Sequence, residues 1–155
     1  MKGVYLSEAL KVNNTITTLD LCRNKINDEG CEYLSEALKV NNTITTLDLC
    51  RNKINDEGCK YLSEAIKVNK SINYLNLKLN YISDEGGKYL NEALKINNSI
   101  IYLNVWNNNI EDIEIIEEVT KLNKKLNTCN YYENIADILP NKLLTKYEKK
   151  IIKYY

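Results

Sequence analysis

The chain of 155 residues has no histidine and no phenylalanine, and only one proline, one tryptophan and one methionine. Without histidine, the usual general base, the usual partner of cysteine at zinc, and the Ser/His and Cys/His nucleophile pairs are all missing. Most hydrolytic chemistry is thereby excluded, and a protein that is not an enzyme and carries no cofactor is expected. Neither sign of charge is in excess: 21 Lys and Arg balance 21 Asp and Glu. No net field draws the chain to nucleic acid or to an anionic membrane. No stretch approaches the roughly 20 apolar residues of a membrane span. The opening MKGVYLSEALKVNN also lacks the apolar core of a signal peptide. A cytoplasmic location follows as an expectation, in the cell of origin or in a host cell. The five cysteines, Cys22, Cys31, Cys50, Cys59 and Cys129, form no C-x-x-C pair. Abundant Asn, Lys, Ile and Tyr have the character of an A+T-rich coding bias.

What is present is repetition. LDLCRNKINDEG stands unchanged at Leu19 to Gly30 and at Leu47 to Gly58. Val12 to Lys39 and Val40 to Lys67 differ only at Glu32 against Lys60 and Leu38 against Ile66. The frame continues through Ile72, Leu75, Leu77, Asn80 and Ile82, then Ile100, Leu103, Val105, Asn108 and Ile110. A fixed period of this size is the signature of a stacked array. Thr18-Leu19-Asp20-Leu21-Cys22 alternates with period two, so it reads as a half-buried strand. Asn27-Asp28-Glu29-Gly30 supplies turn and helix-start residues, with Asp28 as the expected N-cap. Cys31, Leu34, Ala37 and Leu38 then form the apolar face of a helix, opposite Glu32, Ser35, Glu36 and Lys39, and Asn41-Asn42 ends it. A strand and a helix per unit cannot bury their apolar faces alone, so successive units must stack.

The pattern I-x-x-L-x-L-x-x-N-x-I-x-D-x-G-x-x-x-L-x-x-A-L, as at Ile16 to Leu38, resembles the leucine-rich repeat of the ribonuclease-inhibitor type, found also in NOD-like receptors and in the Ran GTPase-activating protein. The resemblance spans about Tyr5 to Asn134. It implies an α/β fold: a curved right-handed β-α solenoid with the parallel sheet on its concave side and helices on its convex side. About five strands are expected, in units starting near 16, 44, 72 and 100 and a short one near 126. The solenoid takes residues 1–139, and 140–155 form a C-terminal capping helix carrying Leu143, Leu144, Tyr147, Ile151 and Ile152. The chain begins inside the helical half of a unit, since Tyr5 to Lys11 equals Tyr33 to Lys39. A truncated or very economical array is expected. In the fourth unit Ile113, Ile116, Val119 and Leu122 carry the helical apolar face; Leu126, Cys129, Tyr131 and Asn134 frame the fifth strand.

The resemblance also implies a structural role for Asn24, Asn52, Asn80, Asn108 and Asn134: buried amides that hydrogen-bond the turns of neighbouring units. Single glycines at Gly30, Gly58 and Gly86 are too sparse for a phosphate loop. Asp28, Glu29 and their copies sit favourably at helix N-termini and are not paired across a cleft. Cys31 and Cys59 take core positions. Cys22 and Cys50 fall on neighbouring strands of the open face, but as two thiols without further ligands they make an incomplete zinc site. Partners of this family dock on the concave strand face. Alternation places Asp20, Arg23, Asp48 and Arg51 there, then Tyr74, Asn76, Lys78, Tyr102, Asn104 and Trp106. Thr18, Thr46, Leu79 and Asn107 accompany them, with Thr128, Asn130, Tyr132 and Glu133 in the fifth unit. Tyr, Trp and Arg are favoured at binding hot spots. A monomer that binds a partner protein through this face is the primary expectation, with a viral, protist or bacterial protein acting on host proteins as one setting. The competing readings are a GTPase regulator, by likeness to the Ran GTPase-activating protein, and a partnerless member of an expanded repeat family.

Overall fold

The computed structural model describes residues 2–111 and 114–128. Helix and strand alternate in the order α1 (Lys2–Val12), β1 (Thr18–Asp20), α2 (Asp28–Val40), β2 (Thr46–Asp48), α3 (Asp56–Val68), β3 (Tyr74–Asn76), α4 (Asp84–Leu94), β4 (Tyr102–Asn104) and α5 (Glu114–Thr128). The four strands form one parallel sheet in sequence order. Thr18, Thr46, Tyr74 and Tyr102 stand in one row across it, and Leu19, Leu47, Leu75 and Leu103 in the next. Leu47, Leu49, Ile54, Leu75, Leu77 and Ile82 are buried between sheet and helices, together with Cys31, Leu34, Ala37 and Leu38 and their copies. Leu19, Leu21 and Ile26 are only partly buried, since no described strand precedes β1. Strands stack about 4.8 Å apart and helices 8 to 10 Å apart, so a stack of such units curves with its sheet on the inside.

Three sets of side chains join unit to unit. The first is the turn asparagine. Asn52 Oδ1 accepts from the N–H groups of Asn24 and Ile26 at 3.0 and 2.9 Å. Its amide donates to the carbonyls of Leu21 and Leu49, both at 2.9 Å. Asn80 repeats this with Ile54, Leu49 and Leu77, and Asn108 with Ile82, Leu77 and Val105. Asn24 departs from the expected burial: it is exposed and donates to Cys22 O. Asn134 lies outside the described residues.

The second set stands at the helix ends. Asn41, Asn69 and Asn97 are buried; each donates to two carbonyls of the preceding unit and accepts from two N–H groups of its own. Asn123 closes the series, donating to Asn97 O and Ile100 O at 3.1 and 3.0 Å. The third set corrects the sequence reading. The N-cap of α2 is Asn27, not Asp28. Asp28 Oδ1 instead reaches into the next unit and accepts from Asn55 N and Gly58 N at 3.1 and 3.0 Å. Asp56 does the same for Ser83 and Gly86, and Asp84 accepts from Glu111 N. Asp28 and Asp56 thus each satisfy an orphan amide in the first turn of the following helix. Burial pushes the Asp56 carboxyl up, but hydrogen bonds from the Ser83 hydroxyl and the Ser83 and Gly86 amides hold it below its ordinary value.

Two further expectations are corrected. Ser35 is buried, not on the solvent face, because each inner helix packs against a helix on either side as well as against the sheet. Leu126 and Thr128, expected in a fifth strand, belong to α5. Its polar Thr120 and Asn123 are buried alongside Ile116 and Leu122, and the helix runs on from them to Thr128. Ile113, Cys129, Tyr131 and the capping helix after Pro140 lie outside the described residues, and Val119 is described only in its backbone.

Two comparisons test these joints by urea denaturation. Asn52→Ala strips partners from buried groups and is expected to cost about 1 to 3 kcal/mol, whereas Asn24→Ala changes stability by a few tenths at most. Gly58 lies where an added Cβ would meet Asp28 Oδ1 at 2.6 Å and Ile54 Cγ2 at 2.8 Å; at Gly30 it would meet Ile26 Cγ2 at 2.9 Å and no carboxylate. Gly58→Ala should therefore destabilise by about 1 to 3 kcal/mol through overpacking, and Gly30→Ala should cost less, because it meets the Ile26 methyl alone.

Candidate functional site

The strand side chains that alternate away from the core form rows across the sheet, and the unit period fills each row with equivalent positions. Asp20, Asp48, Asn76 and Asn104 make one row in register. Each turns one side-chain oxygen onto the N–H two residues on, those of Cys22, Cys50, Lys78 and Trp106, at 2.8 to 3.1 Å. These are Asx turns, which hold the strand end in shape. Asn76 is nearly closed to solvent and donates to Asp48 Oδ2 at 2.9 Å. Of the polar residues predicted for binding, Asn76 is thus committed to the scaffold, and Asp48 is held in place by one hydrogen bond to each oxygen.

Arg23, Arg51, Leu79 and Asn107 form the next row, past the strand ends. Their φ values are 61°, 53°, 58° and 55°, the left-handed region. There each N–H can continue the inter-unit ladder: Arg23 N donates to Cys50 O and Arg51 N to Lys78 O, at 3.0 and 2.9 Å. The two arginines are consequently turn residues with exposed side chains, not strand residues as alternation implied. Non-glycine residues in this region are strained by about 1 to 2 kcal/mol each, and the asparagine ladder below them holds the turn.

The C-terminal half of the face is aromatic. The rings of Tyr74 and Tyr102 stack with centroids 4.5 Å apart and planes within 5°. Parallel in-register strands place equivalent side chains face to face at about the strand spacing, so the stack follows from two tyrosines in one row. Burial raises the Tyr74 hydroxyl above its ordinary value, with Tyr102 and Asp48 adding to the effect. Trp106 is 62% exposed and Tyr102 45%. Beside them Lys78, Asn104, Thr120 and Lys121 help to line a cavity of about 440 Å³. The ring stack and the hollow between β4 and α5 were not foreseen in the sequence.

In the other half, Cys22 and Cys50 lie half-buried on the face. Desolvation, the neighbouring Cys22 thiol and the Asp48 carboxylate push the Cys50 thiol up to about 12. Cys31 and Cys59 are sealed in the core; burial, with the charge of Asp28, raises Cys31 to about 12. Among the described residues no helix is long and apolar enough to cross a membrane.

The model of the leucine-rich repeat matches three successive stretches, residues 12–35, 40–63 and 68–90, in phase with the structural units. These are leucine-rich repeats. Together with the parallel sheet and alternating helices they make the molecule a leucine-rich repeat β-α solenoid. A solved structure titled Leiomodin-1 Actin-Binding Site 2 is similar, with a TM-score of 0.63 and 25% identity over 73% of this chain and 67% of that chain. Curated protein sequences give no significant match. Repeats and structural neighbour together support a protein-interaction module.

The single tryptophan reports on the aromatic end of the solenoid. Acrylamide is expected to quench Trp106 fluorescence with the high efficiency of a solvent-exposed indole; strong protection in the isolated protein would show that the face is covered.

Proposed function

We propose that this chain is a ribonuclease-inhibitor-type leucine-rich repeat module without enzymatic activity, which recognises a partner protein through the sheet face, with its aromatic end as the energetic centre. The observation that carries the reading is a contiguous set of exposed aromatic surface, Trp106 and Tyr102, set against the Tyr74 ring and a 440 Å³ hollow. Large exposed aromatic patches on soluble proteins mark interaction sites, and Trp and Tyr dominate measured hot spots. The hollow is bordered by Lys78 and Lys121, which suits an apolar segment of a partner flanked by acidic residues. Asp20, Arg23, Arg51 and Asn104 supply the polar rim.

The leiomodin-1 neighbour supports a protein ligand and makes actin the first candidate to test. Arg23 and Arg51 hold equivalent turn positions in successive units. That arrangement suits a repeated binding rim rather than a single arginine inserted into a nucleotide site.

The test is quantitative. With a partner obtained from the cytosol of the organism or of its host, and with actin in parallel, titration calorimetry compares the wild type with a Tyr102→Ala, Trp106→Ala double variant. Loss of two hot-spot residues worth about 2 kcal/mol or more is at least about 30-fold in Kd. Full affinity in the double variant would contradict this assignment of the face.

A further inference from the structure

The exact doubling of the first two full units has a chemical product as well as a structural one. It places two thiols side by side. Cys22 and Cys50 occupy equivalent positions on successive strands, joined by the backbone bonds from Leu21 N to Asp48 O and from Arg23 N to Cys50 O, at 2.8 and 3.0 Å. The carboxylate of Asp48 lies next to both. One sulfur from each cysteine and one Asp48 oxygen are all within 4.8 Å of one another. All three residues are half-buried.

This arrangement suits a shared cation better than a disulfide. Neighbouring parallel strands hold equivalent Cβ atoms at about the 4.8 Å strand spacing, wider than the roughly 3.8 Å typical across a disulfide. Two sulfurs on one tetrahedral ion with bonds of about 2.3 Å lie about 3.8 Å apart, which small side-chain rotations reach from the present geometry. Asp48 is already oriented: one oxygen accepts from Cys50 N at 2.8 Å and the other from the Asn76 amide at 2.9 Å. Hydrogen-bonded carboxylates of this kind are the usual partners of metal sites. Unit three ends the set, because Lys78 takes the place of the cysteine and Asn76 that of the acid.

We propose that Cys22, Cys50 and Asp48 bind one thiophilic closed-shell cation of the Zn(II) or Cu(I) class, with a coordination position left open on the sheet face. Binding exchanges the two thiol protons for the ion. Soft thiolates select these cations over magnesium or calcium, and the open position admits water or a side chain of a docked protein. The proposal stands on the geometry of these three side chains and does not depend on the protein-binding reading.

The test uses the full chain, reduced and metal-free, with Cd(II) as the probe. A thiolate-to-metal charge-transfer band in the ultraviolet should grow and saturate at about one equivalent. Competition by Zn(II) and by Cu(I) then tells which of the two classes binds more tightly. The band should be lost in C22S and in C50S, kept in C129S, and kept in D48N with affinity lowered at least about tenfold. Far-ultraviolet circular dichroism checks that each variant is folded. Cadmium NMR of the wild type reads the ligand set without any substitution: a shift typical of two sulfurs supports the site, and an all-oxygen shift overturns it. A band that persists unchanged in the C22S/C50S double variant, or absence of binding by all three cations, also overturns the proposal.

Discussion

The structure depends on one constraint: the turns between strand and helix pack against the next unit, and the backbone groups buried there, such as the Ile54 amide, need partners other than water. A buried amide or carbonyl without a partner costs about 1 to 3 kcal/mol. The chain meets this with short side chains reaching across unit boundaries. Asn52 and Asn80 fill the strand-end turns, Asn41, Asn69 and Asn97 the helix ends, and Asp28 and Asp56 the starts of the following helices. The leucine and isoleucine core supplies the drive to stack, but it is non-directional. The polar joints fix the register, and register is what brings equivalent residues into rows.

From those rows the surface follows. A tyrosine in the same position of units three and four becomes a stacked pair, and a cysteine in the same position of units one and two becomes a pair of adjacent thiols. A repeat protein composes its face by what it writes at a few free positions, while the scaffold positions stay fixed. Here the free positions change character along the molecule, from acid, thiol and arginine to tyrosine, lysine and tryptophan.

Much of this was legible beforehand, because a period of identical residues forces identical local structure. The strand positions, the inward leucines and the core cysteines could be read from alternation and spacing, and the role of the turn asparagine of the inner units was implied by the family resemblance. What could not be read depended on contacts between units. Asp28 looks like an N-cap, since aspartate and asparagine are equally good caps; only the approach of Gly58 and Asn55 shows that Asn27 caps and Asp28 clips. The glycine at the loop-to-helix junction is there for space, which at Gly58 and Gly86 the neighbouring carboxylate and an isoleucine methyl both limit. Arg23 and Arg51 look like strand residues until the left-handed turn removes them from the alternation. Asn24 carries the right residue at the right spacing, but no turn of an earlier unit stands before it among the described residues. The helix runs on through Leu126 and Thr128, where the repeat pattern was weakest, and the rest of the expected fifth strand lies outside the described residues.

Native-state hydrogen exchange tests the central claim most directly, read at the amides that donate to side chains of a neighbouring unit. Those of Ile54, Gly58 and Gly86 bond to Asn80, Asp28 and Asp56. If the polar joints hold the solenoid in register, these amides exchange as slowly as the buried helical amides around Leu62, and Asn80→Ala releases Ile54 ahead of the rest. Exchange of all three at the rate of the exposed loops, with the helices still protected, would contradict the account.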